Sequence, residues 1–138
     1  MSLTFHPAPG TIVICDFSTG FAAPEMIKVR PVVIVSPRFR RRADLCTVVP
    51  LSTTAPSPAE PYHHLLSVGA YPPAGEKPVW VKCDMLATVA LARLDRVKVG
   101  RREFATFTMP AADMLAIQRG ILCALGLDRL TRHLYGAS

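Results

Sequence analysis

The sequence predicts a mostly β domain of the α+β class, in which short strands form a small barrel and one helix follows them. The chain has 138 residues, of which 50% are hydrophobic, so it can form one core and lies near the usual length of a single domain. Short β-branched and aromatic runs alternate with proline-rich loops over most of the chain, and a helical period follows them. We therefore expect a single domain over residues 1–138.

The strands are predicted from runs of β-branched, aromatic and other apolar residues. These runs are residues 11–17, 31–36, 45–51, 62–68, 79–85 and 94–99. Proline lacks the amide hydrogen that a sheet ladder needs, so we expect Pro31 to begin its strand and Pro50 to lie at an end or an edge. The proline-rich segments 55–61 and 72–78 are predicted to be loops on either side of the fourth strand.

The helix is predicted from apolar residues that recur at helical spacing after Pro110. These residues are Met114, Ile117, Ile121, Leu122 and Leu125. Gly126 provides a C-terminal stop, so we expect an amphipathic helix over about 110–125. Its apolar face is expected to cover an exposed part of the sheet.

Several classes of protein are excluded by the sequence. No apolar run approaches the roughly 18 residues that a membrane helix needs, and no secretory signal is visible at the start, so we expect a cytoplasmic protein without a membrane partner. The four cysteines are widely spaced and form no C-x-x-C pair, so we expect buried free thiols. Because metal-ligand and nucleotide-binding motifs are also absent, the sequence predicts no metal and no cofactor.

The charge is basic and unevenly distributed. Sixteen Lys and Arg against ten Asp and Glu give a net charge of +6. The basic residues fall into two clusters, the first with Lys28, Arg30, Arg38, Arg40, Arg41 and Arg42, and the second with Arg93, Arg96, Lys98, Arg101 and Arg102. Clusters that meet in the fold would form a positive face for nucleic acid or an acidic protein, although the arginine run could equally be a solvated loop.

Three sequence blocks occur in a specific order. They are residues 25–37 (EMIKVRPVVIVSP), 48–54 (VVPLSTT) and 80–84 (WVKCD). Together they resemble the MazF/PemK toxins, the toxin halves of bacterial toxin–antitoxin pairs, and the resemblance extends from Gly10 to about Leu125. It implies an SH3-like small antiparallel barrel of the CcdB/MazF/PemK type with a C-terminal helix. It also implies a homodimer that acts as a metal-independent, sequence-specific endoribonuclease on single-stranded RNA and thereby inhibits translation or growth.

The chemistry of that activity agrees with the residues in the blocks. Without a metal, the ribose 2′-hydroxyl attacks the adjacent phosphorus and leaves a 2′,3′-cyclic phosphate, which requires a base, an acid and donors around the phosphoryl oxygens. The resemblance implies that Arg30, Ser52 and Asp84 are catalytic. Arg30 can contact two phosphate oxygens, Ser52 can hydrogen-bond the same phosphate, and Asp84 matches the aspartate that the PemK branch uses as a base.

Other residues are expected to bind RNA. Glu25 aligns with the acidic residue of the loop before Arg30, and Lys82 replaces an arginine of the PemK branch. Lysine keeps the charge but loses the bidentate geometry, so the general acid is not assigned. The complete set of predicted RNA-binding residues is Glu25, Thr53, Lys82, Lys28 and Arg41.

The histidines leave an alternative open. The PemK branch has a histidine beside its loop glutamate, where this chain has Pro24. His63 or His64 could replace it, but neighbours on a strand point to opposite faces, so at most one of them can face the groove.

Structural roles remain open for the same residues. Arg30 and Glu25 could form an ion pair. The hydroxyl of Ser52 could satisfy backbone donors in a turn, and Asp84 could cap one.

Two other functions share this fold. A CcdB-like protein poisons DNA gyrase through the tryptophan-containing end of its helix, whereas the single tryptophan here, Trp80, lies in a predicted strand. A non-catalytic RNA-binding or interaction module is the second alternative. For the toxin, the resemblance implies a cognate antitoxin whose acidic, initially disordered tail wraps the basic groove.

Overall fold

Three antiparallel strands that follow one another in the chain form the centre of the sheet in this computed structural model, which describes residues 2–134. They are β1 (Thr11–Asp16), β2 (Val29–Ile34) and β3 (Leu45–Ser52). The other strands of the described region have two to four residues each. They are β4 (His63–Leu65), β5 (Trp80–Lys82), β6 (Ala87–Ala90), β7 (Leu94–Asp95), β8 (Val97–Gly100), β9 (Glu103–Ala105) and β10 (Phe107–Thr108).

The sheet curls because β1 and β3 each pair, along one side, first with one strand and then with another. The strand order is β10-β1-β2-β3-β5-β4. The first half of β3 pairs with β6 and its last two residues pair with β5, while β1 pairs with both β10 and β7. Strands β8 and β9 form a separate hairpin. An incomplete antiparallel barrel followed by a helix confirms the predicted fold class.

The core has two layers because the central strands are buried on both faces. In β2, Val32 belongs to the cluster inside the curl, whereas its neighbour Val33 belongs to the cluster beneath the helix. In β3, Val48 and Val49 are divided in the same way. Alternate residues point to opposite faces of a strand, so two apolar layers require a continuous apolar run. The sequence VVIV of the first block meets that requirement.

Helix α1 (Ala111–Ala124) covers the second layer, as predicted. Ile117 is fully buried against the sheet. The helix ends in a Schellman motif, in which the amide of Leu127 donates to the carbonyl of Leu122 and that of Gly126 donates to Cys123. Gly126 has a φ of +74°, which is the left-handed conformation expected of the predicted stop. A second helix of one turn, α2 (Thr131–Leu134), follows.

Several strand boundaries differ from the predictions. The expected strand at 79–85 ends at Lys82 because Cys83–Met85 form a 3₁₀ turn. The expected strand at 94–99 is divided into β7 and β8 at Arg96. Strands β6, β9 and β10 were not predicted, because they are short and β6 contains two alanines, which have a low strand propensity.

Both expectations for strand prolines were wrong in detail. Pro31 is the third residue of β2, and Pro50 is buried inside β3 rather than at its end. Each nevertheless lies where the ladder is interrupted. Pro31 pairs with β1, while the pairing with β3 begins one residue later, and Pro50 lies between the segments of β3 that pair with β6 and β5. A missing amide is tolerated at such interruptions.

The four cysteines are free, as expected, and Cys15, Cys46 and Cys83 are buried. Burial raises the pKa of the Cys15 and Cys83 thiols to about 12. Within residues 2–134, no helix combines the length and the apolarity that crossing a bilayer requires.

Candidate active site

The ends of three neighbouring strands bring together two predicted catalytic residues, Arg30 and Ser52, and the predicted RNA-binding residue Lys82. Arg30 lies near the start of β2, Ser52 ends β3 and Lys82 ends β5. The pairing of Val32 with Pro50, continued by two residues, places Arg30 opposite Ser52. The β3–β5 register, continued by one residue, places Lys82 opposite Pro50. Directly opposed residues share a face, so the side chains of Arg30, Ser52, Lys82 and Pro50 lie on one face of the sheet.

A cavity of about 160 Å³ lies on that face. Arg30, Ser52 and Lys82 line it from the strands, and Glu25 and Lys28 line it from the 17–28 loop. The structure therefore gathers five of the eight predicted site residues around one cavity. Three cations and one carboxylate surround it, which favours an anionic ligand.

Arg30 and Ser52, which both line the cavity, keep hydrogen-bonding capacity that the described residues do not use up. Arg30 is half-buried, and its guanidinium forms no ion pair with Glu25 or with another described residue. The Ser52 Oγ accepts a hydrogen bond from the amide of Thr54 at 3.1 Å. This bond agrees with the alternative role, in which the hydroxyl of Ser52 satisfies a backbone donor of a turn. It also fixes the oxygen and leaves the hydroxyl proton available for a phosphate oxygen.

Asp84 lies beside this cavity rather than in it. It occupies the 3₁₀ turn after β5 and lines a neighbouring cavity of about 310 Å³. Glu25 and Met85 line both cavities, so the two spaces adjoin. The turn redirects the chain after Lys82, and for this reason Asp84 does not follow the alternation of the strand.

The two adjacent histidines face opposite sides, as strand geometry predicts. The Nε2 of His63 lies 3.9 Å from the Oδ1 of Asp84. The His63 Nδ1 accepts the backbone amide of Glu60 at 2.8 Å, so the proton of a neutral ring is on Nε2 and faces Asp84. His64 instead bonds Asp113 of α1 at 2.8 Å. His63 is therefore the histidine on the side of the candidate site.

Two predicted RNA-binding residues lie away from the cavity. Thr53 is exposed just beyond the end of β3 and is not among the residues that line the cavity. Arg41 is exposed in the 35–44 loop, which follows the opposite end of β2 from Arg30. Five residue-to-residue steps of about 3.3 Å, about 16 Å in all, separate Arg30 from the first residue of that loop.

Arg93, which the sequence placed in the second basic cluster, instead supports the 17–28 loop. Its Nη1 donates to the carbonyls of Asp16 at 3.0 Å and Thr19 at 2.8 Å. Its guanidinium also lies 4.8 Å from the ring centroid of Phe21. Arg93 therefore helps to position the loop that contributes Glu25 and Lys28, a structural role that its place in the second basic cluster did not indicate.

Apolar residues complete the cavity, a role that no sequence pattern predicted. Met26 is buried in the core, which anchors the loop beside Glu25. Ile27 and Met85 also line the cavity. Ile27 is 44% exposed, so the cavity has an apolar surface beside its charged groups. No group of three or more His, Cys, Asp or Glu is placed to hold a metal ion in the described range 2–134.

Comparison with known proteins finds a matching family model and solved structures that are similar to the chain. The family model described as PemK-like, MazF-like toxin of type II toxin-antitoxin system matches residues 8–124. A mycobacterial endoribonuclease solved with its cognate antitoxin is similar over 88% of this chain and 96% of that chain, with 24% identity and a TM-score of 0.61. MazF from Deinococcus radiodurans is similar over 87% and 96%, with 21% identity and a TM-score of 0.65. Among functionally curated proteins, no significant match was found.

Proposed function

The chain belongs to the PemK-like, MazF-like family of toxins of type II toxin–antitoxin systems, and we propose that it is a sequence-specific, metal-independent endoribonuclease acting on single-stranded RNA. The observation that carries this proposal is the convergence of Arg30, Ser52 and Lys82 on one face of the sheet, around a cavity that Glu25 and Lys28 complete. Structures similar to this chain include endoribonucleases, one of them with its antitoxin. We place the activity in the cytoplasm, where messenger RNA is translated.

The reaction we propose begins with attack of a ribose 2′-oxygen on the adjacent phosphorus. A bond forms between the 2′-oxygen and phosphorus while the bond to the 5′-oxygen breaks. The 2′-hydroxyl proton passes to a base, and the leaving 5′-oxygen gains a proton. The products are a 2′,3′-cyclic phosphate and a 5′-hydroxyl end.

Arg30, Lys82 and Ser52 suit the stabilisation of the phosphoryl oxygens. Charge increases on these oxygens during the attack, and preorganised donors in a partly buried cavity stabilise that charge. Arg30 remains protonated throughout and can form two parallel hydrogen bonds. Lys82 adds a second positive charge, and Ser52 donates its hydroxyl proton to one oxygen.

Asp84 suits the role of base, as the PemK resemblance implies. Its carboxylate is exposed beside the cavity that holds the phosphate in this proposal. In this proposal His63 supports Asp84: its Nε2 lies 3.9 Å from Oδ1, longer than a hydrogen bond, and a small approach of the two groups on RNA binding lets the Nε2–H donate to the carboxylate. Glu25, which lines both cavities, contacts the RNA.

The family also supports two partner proposals. We propose that two copies of the chain form the RNA groove together and that the acidic tail of a cognate antitoxin competes with RNA for the basic surface. Sedimentation should give twice 15.0 kDa. RNA bound to a catalytically inactive variant should be displaced as the antitoxin is added, whereas simultaneous saturation by both ligands would exclude competition.

The test of the activity is cleavage of a long RNA in excess EDTA, followed by sequencing and chemical analysis of the ends. A triple variant, Arg30→Ala/Ser52→Ala/Asp84→Ala, which lacks all three predicted catalytic side chains, is purified in parallel as the control for contaminating ribonuclease. We expect cleavage at a short sequence, cyclic phosphate ends and resistance of RNA with 2′-deoxyribose at the cut position. Cleavage of the deoxy substrate, loss of activity on chelation or equal cleavage by both preparations would reject the proposal. Binding without cleavage would instead identify a non-catalytic RNA-binding module.

A further inference from the structure

The hairpin formed by β8 and β9 is an appendage of the sheet. Its strands pair with each other and, within the described chain, with no other strand. It leaves the sheet after β7, which pairs with β1. Cys15 of β1 pairs with Arg30 on one side and with Leu94 of β7 on the other. The strand before the hairpin therefore lies two strand spacings, about 10 Å, from the strand that contains Arg30.

The two faces of the hairpin differ in character. Val97 faces the protein and is buried. Lys98 pairs directly with Phe104, so both lie on the outer face. The guanidinium of Arg96 lies 5.3 Å from the centroid of the Phe104 ring, and 43% of Phe104 is exposed. The outer face therefore presents an aromatic ring between two cations.

The charge of the hairpin is strongly positive. Residues 96–104 contain Arg96, Lys98, Arg101 and Arg102 against one carboxylate, that of Glu103. All five side chains are exposed. A cleft of about 490 Å³ lies between the hairpin and the neighbouring turn, lined by Lys98 and Val99 from the hairpin and by Pro72 and Pro73 from the turn. Lys98 therefore borders both the outer face of the hairpin, which carries Phe104, and this largely apolar cleft.

We propose that the β8–β9 hairpin is a second RNA-binding surface, which holds nucleotides that flank the cleaved site. A base stacks on Phe104, and Arg96, Lys98, Arg101 and Arg102 contact the phosphates. Exposed aromatic rings among cations are how proteins bind single strands with little sequence preference, because every base has a face to stack and every nucleotide a phosphate. This surface contributes affinity and takes no part in the reaction. The choice of RNA as the ligand rests on the proposed function.

The test measures binding of 2′-O-methyl oligonucleotides, which lack the attacking hydroxyl and cannot be cleaved. A 5-mer and a 20-mer of mixed sequence are titrated by fluorescence anisotropy with wild-type protein, Phe104→Ala, Phe104→Trp and the control Leu115→Ala, which shortens an exposed apolar side chain on α1. Because one stacked base contributes about five- to 150-fold in affinity, we expect Phe104→Ala to weaken binding of the 20-mer by about tenfold. Binding of the 5-mer and the cleavage rate at saturating enzyme should not change, and Phe104→Trp should restore binding.

The charged residues are tested by the salt dependence of the same titration. Arg101→Gln/Arg102→Gln should flatten the salt dependence of 20-mer binding by up to about 1.4 log units per log unit of salt, about 0.7 for each lost contact. Wild-type affinity of Phe104→Ala for the 20-mer, or equal losses for both oligonucleotides, would overturn the proposal. Unchanged RNA binding with weakened binding of an acidic peptide would also overturn it and assign the hairpin to a protein partner. If wild-type protein binds but does not cleave RNA, the proposed activity fails while the hairpin result stands.

Discussion

The Oδ1 of Asp113 in α1 lies 2.8 Å from the Nε2 of His64 in β4, a hydrogen bond between residues 49 positions apart. The same carboxylate accepts the amide and the hydroxyl of Ser67. Burial of Asp113 by itself would raise its pKa, but the hydrogen bonds from Ser67 and His64 outweigh burial and hold the pKa below its usual value of 3.8. The network joins the helix to the strand that pairs with β5, on which Lys82 lies.

The first prediction concerns the stability of this junction at low pH. The folded pKa of Asp113 is below the unfolded value, so its stabilisation is complete above about pH 4 and is lost as the pH falls through the folded pKa. Asp113→Asn should lower the free energy of unfolding at pH 7 by about 1–3 kcal/mol, because it removes a charge-assisted acceptor. Urea denaturation at pH 7 and pH 3 should show a smaller difference between variant and wild type at pH 3. An equal difference at both pH values would contradict this account.

A second prediction concerns the contact between α1 and the turn after β5. A Cβ added to Gly120 would lie 2.7 Å from the Sγ of Cys83 and 3.0 Å from the carbonyl oxygen of Tyr62. Alanine favours a helix over glycine by about 1 kcal/mol. We expect the clash to prevail, so that Gly120→Ala lowers the free energy of unfolding by about 1–3 kcal/mol.

The control for this prediction is a double-mutant cycle. Cys83→Ala removes the sulfur and should partly rescue Gly120→Ala, because the Tyr62 carbonyl remains close. Both single variants and the double variant are compared by urea denaturation. A more stable Gly120→Ala, or strictly additive effects, would show that the helix has room to move away.

Much of the fold was predictable because each central strand is a continuous apolar run, a pattern that needs two apolar layers around it. The gathering of Arg30, Ser52 and Lys82 was implied only by the family resemblance, which assigned residues of all three blocks to one RNA site. The position of Asp84 did not follow, because a 3₁₀ turn of three residues leaves no periodic signal. The role of Arg93 was hidden for a different reason. Its acceptors are backbone carbonyls 74 and 77 residues away, and no side-chain pattern marks a carbonyl.

A third prediction separates Asp84 from its neighbour His63. If Asp84 is the base, Asp84→Asn should lower the single-turnover cleavage rate by about 10²- to 10⁴-fold, with little change in RNA affinity. His63→Ala should have a smaller effect, because it removes the group that orients the carboxylate. His63→Gln should retain more activity than His63→Ala, since its amide can still donate towards Asp84. Wild-type turnover by Asp84→Asn at saturation would assign the base elsewhere, with Glu25 the carboxylate that lines both cavities.

The last prediction distinguishes catalysis from electrostatic attraction by comparing Arg30 with Arg41. Arg30 lies at the cavity between three strand ends, whereas Arg41 is exposed in the 35–44 loop beyond the other end of β2. If Arg30 stabilises charge that grows in the transition state, Arg30→Ala should lower the single-turnover rate by roughly a hundredfold or more while RNA affinity changes modestly. If Arg41 attracts the phosphate backbone, Arg41→Ala should weaken binding and flatten its salt dependence by up to about 0.7 log units per log unit of salt, with the saturated rate unchanged.

Neither side chain lies in the core, so both variants should remain folded. The measurement is the cleavage rate at saturating enzyme for each variant across several salt concentrations. Wild-type turnover by Arg30→Ala at saturation would make Arg30 a binding residue, and the phosphoryl charge would then be stabilised at this cavity by Lys82 and Ser52 without it.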